Sequence, residues 1–148
     1  MKQLATIITE IQEIELLSQD DIRPEQLADE LAEQSDICPA VGAILRLFER
    51  HPQHNFGAPG PLVHEIERCY GSGYEAELQE SLNRKPTRLT VWLANRIVNA
   101  KDKNHGTFLR ILHAIAENKA ADSDVRTDAK NFLELHAEHD DRSSVQPE

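Results

Sequence analysis

The chain has 148 residues, enough to bury a core, and 16 Lys and Arg stand against 26 Asp and Glu, for a net charge of −10. That balance argues against holding a nucleic-acid backbone, which needs clustered cations, and admits a basic partner. No apolar run reaches the ~18 residues of a membrane span, and the two cysteines form no C-x-x-C pair, so the composition predicts a cytoplasmic chain without a disulfide framework.

Apolar residues recur at helical spacing almost throughout. In the first segment Leu4, Ile7, Ile8, Ile11, Ile14 and Leu17 share a face, while Glu10 and Glu13 fall on the other side. Those glutamates and Glu15 also break the apolar core a signal peptide would need. Asp20-Asp21 ends the pattern, and Arg23-Pro24 opens a second helix through Glu33, Pro being well suited to a first turn. Ser35 or Asp36 is placed to cap a third, which carries Val41, Ile44, Leu45 and Phe48 to Arg50. The stretch HPQHNFGAPGP then interrupts helix with three prolines and two glycines.

A fourth helix is predicted from Pro61 to Tyr70, with Leu62, Ile66, Cys69 and Tyr70 inward, and Gly71-Ser72-Gly73 stops it. The fifth runs from about Tyr74 to Asn83 and breaks before Pro86. The sixth, LTVWLANRIVNA, has Thr87 as its cap, and KDKNHG turns the chain into a seventh with Phe108, Leu112 and Ile115. The eighth, capped by Ser123 or Asp124, carries Val125, Ala129, Phe132 and Leu133. The expected fold is therefore all-α: about eight short helices, as stacked HEAT-like hairpins or an irregular bundle. A single helical domain is expected over 1–139, followed by a frayed polar tail over 140–148.

No enzyme motif in the chain is complete. In VHEIERCY the position four after His64 is Arg68, so the paired imidazoles of a zinc helix are missing. GSGYEA resembles a dinucleotide fingerprint but follows a helix, not a strand. His51/His54 and His136/His139 have ligand-like spacing without a third ligand nearby, and no serine sits in a nucleophile elbow. Cys38, before Pro39, reads as a small buried side chain. The sequence therefore assigns no catalytic residue, metal or cofactor.

Two groups of side chains remain as binding candidates. The charge is uneven: residues 1–50 sum to −7, 51–113 to +2 and 114–148 to −5. From the acidic segments, Glu10, Glu13, Asp20, Asp21, Asp29, Glu33, Asp128 and Glu134 are predicted as contacts to a basic partner. The second group is a structural or recognition patch comprising His64, Glu65 and Glu67 with Trp92, Asn95, Arg96 and Asn99. Trp92 and Arg96, four apart, are expected to stack, and Arg96 is placed to pair with Glu65 or Glu67.

The run NFGAPGPLVHEIERCY, followed by SLNRKPTRLTVWLANRIVN, resembles small all-helical immunity proteins of bacterial toxin–immunity systems, contact-dependent growth inhibition among them. The resemblance covers about Asn55 to Asn99. It implies a non-enzymatic cytoplasmic protein that binds one cognate toxin domain, often a nuclease, and occludes its active site or substrate path. The alternative is a general helical adaptor with no toxin partner.

Overall fold

The computed structural model describes the backbone of residues 1–144 and the side chains of residues 1–138. It contains eight α-helices and one 3₁₀ turn, with no strand among the described residues. No described helix is long and apolar enough to cross a membrane. The chain forms two compact units, one from Met1 to Asn83 and one from Arg84 onward. The end of α8 passes through the region expected to fray, helical to Ser144; the rest of that tail, 145–148, lies outside the described residues.

The first unit holds α1 (Leu4–Glu13), α2 (Arg23–Ala32), the 3₁₀ turn Cys38–Ala40, α3 (Val41–Arg50), α4 (Pro61–Glu67) and most of α5 (Tyr74–Arg84). Ile7 and Ile11 of α1, Leu27 and Leu31 of α2, Ile44 and Phe48 of α3, and Leu62 and Ile66 of α4 are buried. Helix α1 packs on α2 and α3, and α4 on α2 and α3. A Cβ on Gly42 of α3 would stand 3.0 Å from the Glu77 carboxylate of α5. Buried Glu49 accepts a 2.8 Å hydrogen bond from the Ser81 hydroxyl across the same pair of helices.

Helix α1 is shorter than its apolar period. It stops at Glu13, Ile14 is extended, and Leu17 projects into solvent. A tertiary contact holds that end: the Arg50 guanidinium donates to the Ile11 carbonyl at 2.7 Å, taking an acceptor exposed at the helix end. Helix α4 also ends early, at Glu67, which leaves Tyr70 partly exposed while Val63 and Glu65 are buried. The cap expected from Ser35 or Asp36 is not made: α3 begins behind Ala40 without a side-chain cap, because a 3₁₀ turn intervenes, and Asp36 instead accepts the Cys38 N–H at 3.0 Å. The connection to α4 is tight, since a Cβ on Gly60 would fall 1.6 Å from the Phe56 carbonyl oxygen. Phe56 anchors that turn against Phe48, ring centroids 4.6 Å apart.

The cysteines correct the expectation. Cys38 and Cys69 form a disulfide between the 3₁₀ turn and the end of α4, with Cα atoms 5.6 Å apart. Thirty-one positions separate them in sequence, so helix packing, not a motif, brings the thiols together. The inference of a reducing compartment from unpaired cysteines therefore loses its basis.

In the second unit α6 (Arg88–Asn99), α7 (His105–Glu117) and α8 (Ser123–Ser144) each pack on the other two. Thr87 caps α6 as expected, in a reciprocal capping box with Thr90. Arg88 pairs with Asp128 at 2.8 Å, and His105 Nδ1 lies 2.8 Å from the Val98 carbonyl oxygen, closing the α6–α7 connection.

The crosslink joins two points of the first unit alone. Replacing both cysteines with alanine is expected to lower that unit's stability by about 3–4 kcal/mol, the loop-closure contribution for a ring of this length. Urea unfolding followed by amide exchange checks this, with faster exchange confined to residues 1–83.

Candidate functional site

Helices α1 and α2 both end in carboxylates, Glu10 and Glu13 on one and Asp29 and Glu30 on the other, with no basic residue in either last turn. A helix C-terminus carries partial negative charge, so this placement opposes helix stability. Glu10, Glu13 and Glu30 line a cleft of about 350 Å³ together with Lys2, Arg23 and Leu27. Within it the Lys2 ammonium donates to Glu30 at 2.8 Å and to Glu10 at 2.9 Å. The hydrogen bond to Glu30, followed by that to Glu10, raises the Lys2 pKa. The second carboxylate oxygen of Glu30 is buried without a hydrogen-bond partner. On the outer face of α2, Glu25, Asp29 and Glu33 follow one another at four-residue intervals, all exposed.

The eight predicted acidic contacts separate into different roles. Glu13, Asp20, Asp29, Glu33 and Glu134 are exposed. Glu10 is partly neutralised by Lys2. Asp21 and Asp128 are internal braces: Asp21 is bound by Arg23 at 2.6 Å and also accepts its N–H, while Asp128 is bound by Arg88. Composition does not show which carboxylates a fold consumes. Glu25 and Glu30 were missed, although the spacing of 25, 29 and 33 is visible in the sequence.

The second candidate group falls on both units. In the first, His64 is exposed, Glu67 half-buried and Glu65 buried, its carboxylate paired with Arg68 at 2.6 Å one turn along the same helix. In the second, the Arg96 guanidinium lies 4.8 Å from the centre of the Trp92 ring, a cation–π contact. Asn95 meets His136 of α8 at 2.6 Å, and these two line a groove of about 340 Å³ with Asn99, Lys101 and Leu135. The polar flank of α6 is thus partly engaged with α8.

The charge follows the units more sharply than the linear segments. Residues 1–83 hold five Lys and Arg against sixteen Asp and Glu, net −11, and residues 84–148 hold eleven against ten, net +1. The acidity of the C-terminal segment is balanced by cations earlier in its own unit. Among the described residues no group of three His, Cys, Asp or Glu is placed to hold a metal. His54 lies against the Phe56 ring, and His51 sits 3.7 Å from Glu15. The side chain of His139 lies outside the described residues. No family model, curated protein or solved structure matches the chain.

The hydrogen bonds from Arg23 hold the Asp21 carboxyl well below the usual carboxylate range. A carboxyl depressed by folding stabilises the fold above its unfolded pKa, and that contribution fades as pH falls through this value toward the folded one. Asp21→Asn is therefore expected to lower the melting temperature slightly at pH 7, the pair being solvent-screened. The difference from wild type should shrink below about pH 4, as read by thermal melts across a pH series.

Proposed function

We propose that this chain is a protein inhibitor that captures a basic protein domain through its acidic first unit. The observation that carries the reading is the concentration of net charge −11 in residues 1–83, with exposed carboxylates at helix ends where they do not serve the fold. Such a surface steers a cationic partner and raises its association rate. A nuclease must line its substrate path with Lys and Arg to hold phosphates. An acidic protein surface is complementary to that path and blocks it by occupying it. Joined to the resemblance over Asn55 to Asn99, this makes the proposed partner a bacterial toxin domain of nuclease type, with the chain as its immunity protein.

The cytoplasm is the proposed site of action, and the disulfide bears directly on that choice. Disulfides are rare in reducing compartments, so a cytoplasmic inhibitor would have to hold its first unit together with Cys38 and Cys69 reduced. Trapping thiols with an alkylating reagent in intact cells separates the two settings. Two labelled cysteines are expected in the cytoplasm, and none where the bond persists.

The function is tested by co-expressing the chain in bacteria with the C-terminal domain encoded immediately upstream. Relief of growth arrest and co-purification are expected. A harmless neighbour, or killing that co-expression leaves unchanged, would instead favour the general helical adaptor.

Electrostatic capture is tested by the triple variant Glu13→Gln/Asp29→Asn/Glu33→Gln. It is expected to melt no lower than wild type, to associate about tenfold more slowly at low salt and to show a flatter salt dependence. Stopped-flow kinetics beside a thermal melt measure all three. An unchanged rate and slope would remove electrostatic capture from the reading.

A further inference from the structure

Between α1 and α2 the chain passes from Ile14 to Ile22 without helix, held in place largely by side chains. Arg23 reaches the Glu15 carbonyl, and Arg50, anchored on Ile11, extends toward the Ile14 carbonyl at 3.5 Å. The Gln19 amide donates to the Gln53 carbonyl at 2.7 Å and accepts the Asn55 N–H at 2.8 Å, tying this loop to the one before α4. Asp21 takes the backbone N–H of Arg23 at the entrance to α2.

The braced loop displays apolar side chains that its own unit does not cover. Leu17 is 88 % exposed and Ile22 62 %. The flanking carboxylates Glu13, Glu15 and Asp20 are exposed. The nearby guanidiniums are engaged, Arg23 with Asp21 and Arg50 with the end of α1. Large apolar groups in water favour burial against a partner, and a braced loop loses less freedom on binding than a loose one.

We infer that the loop Ile14–Ile22 is a preformed docking element that buries Leu17 and Ile22 in an apolar recess rimmed by Lys and Arg on a protein partner. The inference rests on reading the first unit as the captor of a basic protein, and it identifies the contact that sets residence time. Exposed carboxylates act mainly on the rate of encounter, whereas buried apolar anchors act mainly on dissociation. The same carboxylates repel anionic lipid headgroups, so charge complementarity favours a basic protein over a membrane surface.

The probe is a synthetic amphipathic peptide of Leu flanked by Lys and Arg, titrated into the ¹⁵N-labelled full chain. The control peptide carries Ser in place of Leu. Saturable shifts over residues 15–22 are expected, with binding about tenfold weaker for the Ser peptide and for Leu17→Ser/Ile22→Ser. Both side chains are largely exposed, so the double variant should melt like wild type. Equal affinity for the two peptides, unchanged binding by the variant, or no saturable binding would overturn the docking element. So would preferential binding of the chain to phosphatidylglycerol vesicles through Leu17 and Ile22. None of these outcomes depends on the upstream domain, so failure of this inference and failure of the toxin reading are distinguishable.

Discussion

The first unit has five cations for sixteen carboxylates, and its structure depends on where those cations are placed. Self-repulsion at that imbalance opposes compaction. Lys2 bridges α1 to α2, and Arg68 neutralises buried Glu65. Arg23 clamps Asp21 at the start of α2, and Arg50 caps the end of α1. Four of the five thus hold the fold at named points, and they leave Glu13, Glu25, Asp29 and Glu33 exposed. The fold satisfies its interior and concentrates negative charge outward.

Other contacts bind the same unit without cations. The Cys38–Cys69 bond joins the turn before α3 to the end of α4, and Ser81 meets Glu49 between α3 and α5. The second unit has nearly balanced charge, and Arg88–Asp128 and Asn95–His136 both connect α6 to α8. The placement of unpaired charge is therefore what distinguishes the units chemically. It is also why the proposed capture surface lies on the first.

The same placement links fold to proposed action. The exposed carboxylates Glu13 and Asp29 at the ends of α1 and α2 oppose the helix dipole, so their local electrostatic contribution to folding is unfavourable. A surface poor for stability and complementary to a cationic groove fits a protein that acts by binding. In the proposed action the braced loop between these helices, with Leu17 and Ile22 exposed beside the carboxylates, would join retention to steering on adjoining segments.

The helical period alone determined the all-α class and the order of the helices, because burying one stripe of each helix imposes a three-and-four spacing that survives in the sequence. The Thr87 cap of α6 was legible because that interaction is local, whereas the cap expected from Ser35 or Asp36 was displaced by the 3₁₀ turn before α3. The end of α1 was not legible, because the donor that satisfies it, Arg50, lies 39 positions away from Ile11. Nor were the disulfide, the burial of Glu65 or the engagement of Asp21 and Asp128, although their residue types stand plainly in the chain. Composition determined that the surface would be acidic. Only the tertiary structure decided which carboxylates are paired: Lys2–Glu30 and Arg88–Asp128 join partners 28 and 40 positions apart, and the near neighbours Asp21–Arg23 and Glu65–Arg68 meet through local backbone geometry that residue types alone do not specify.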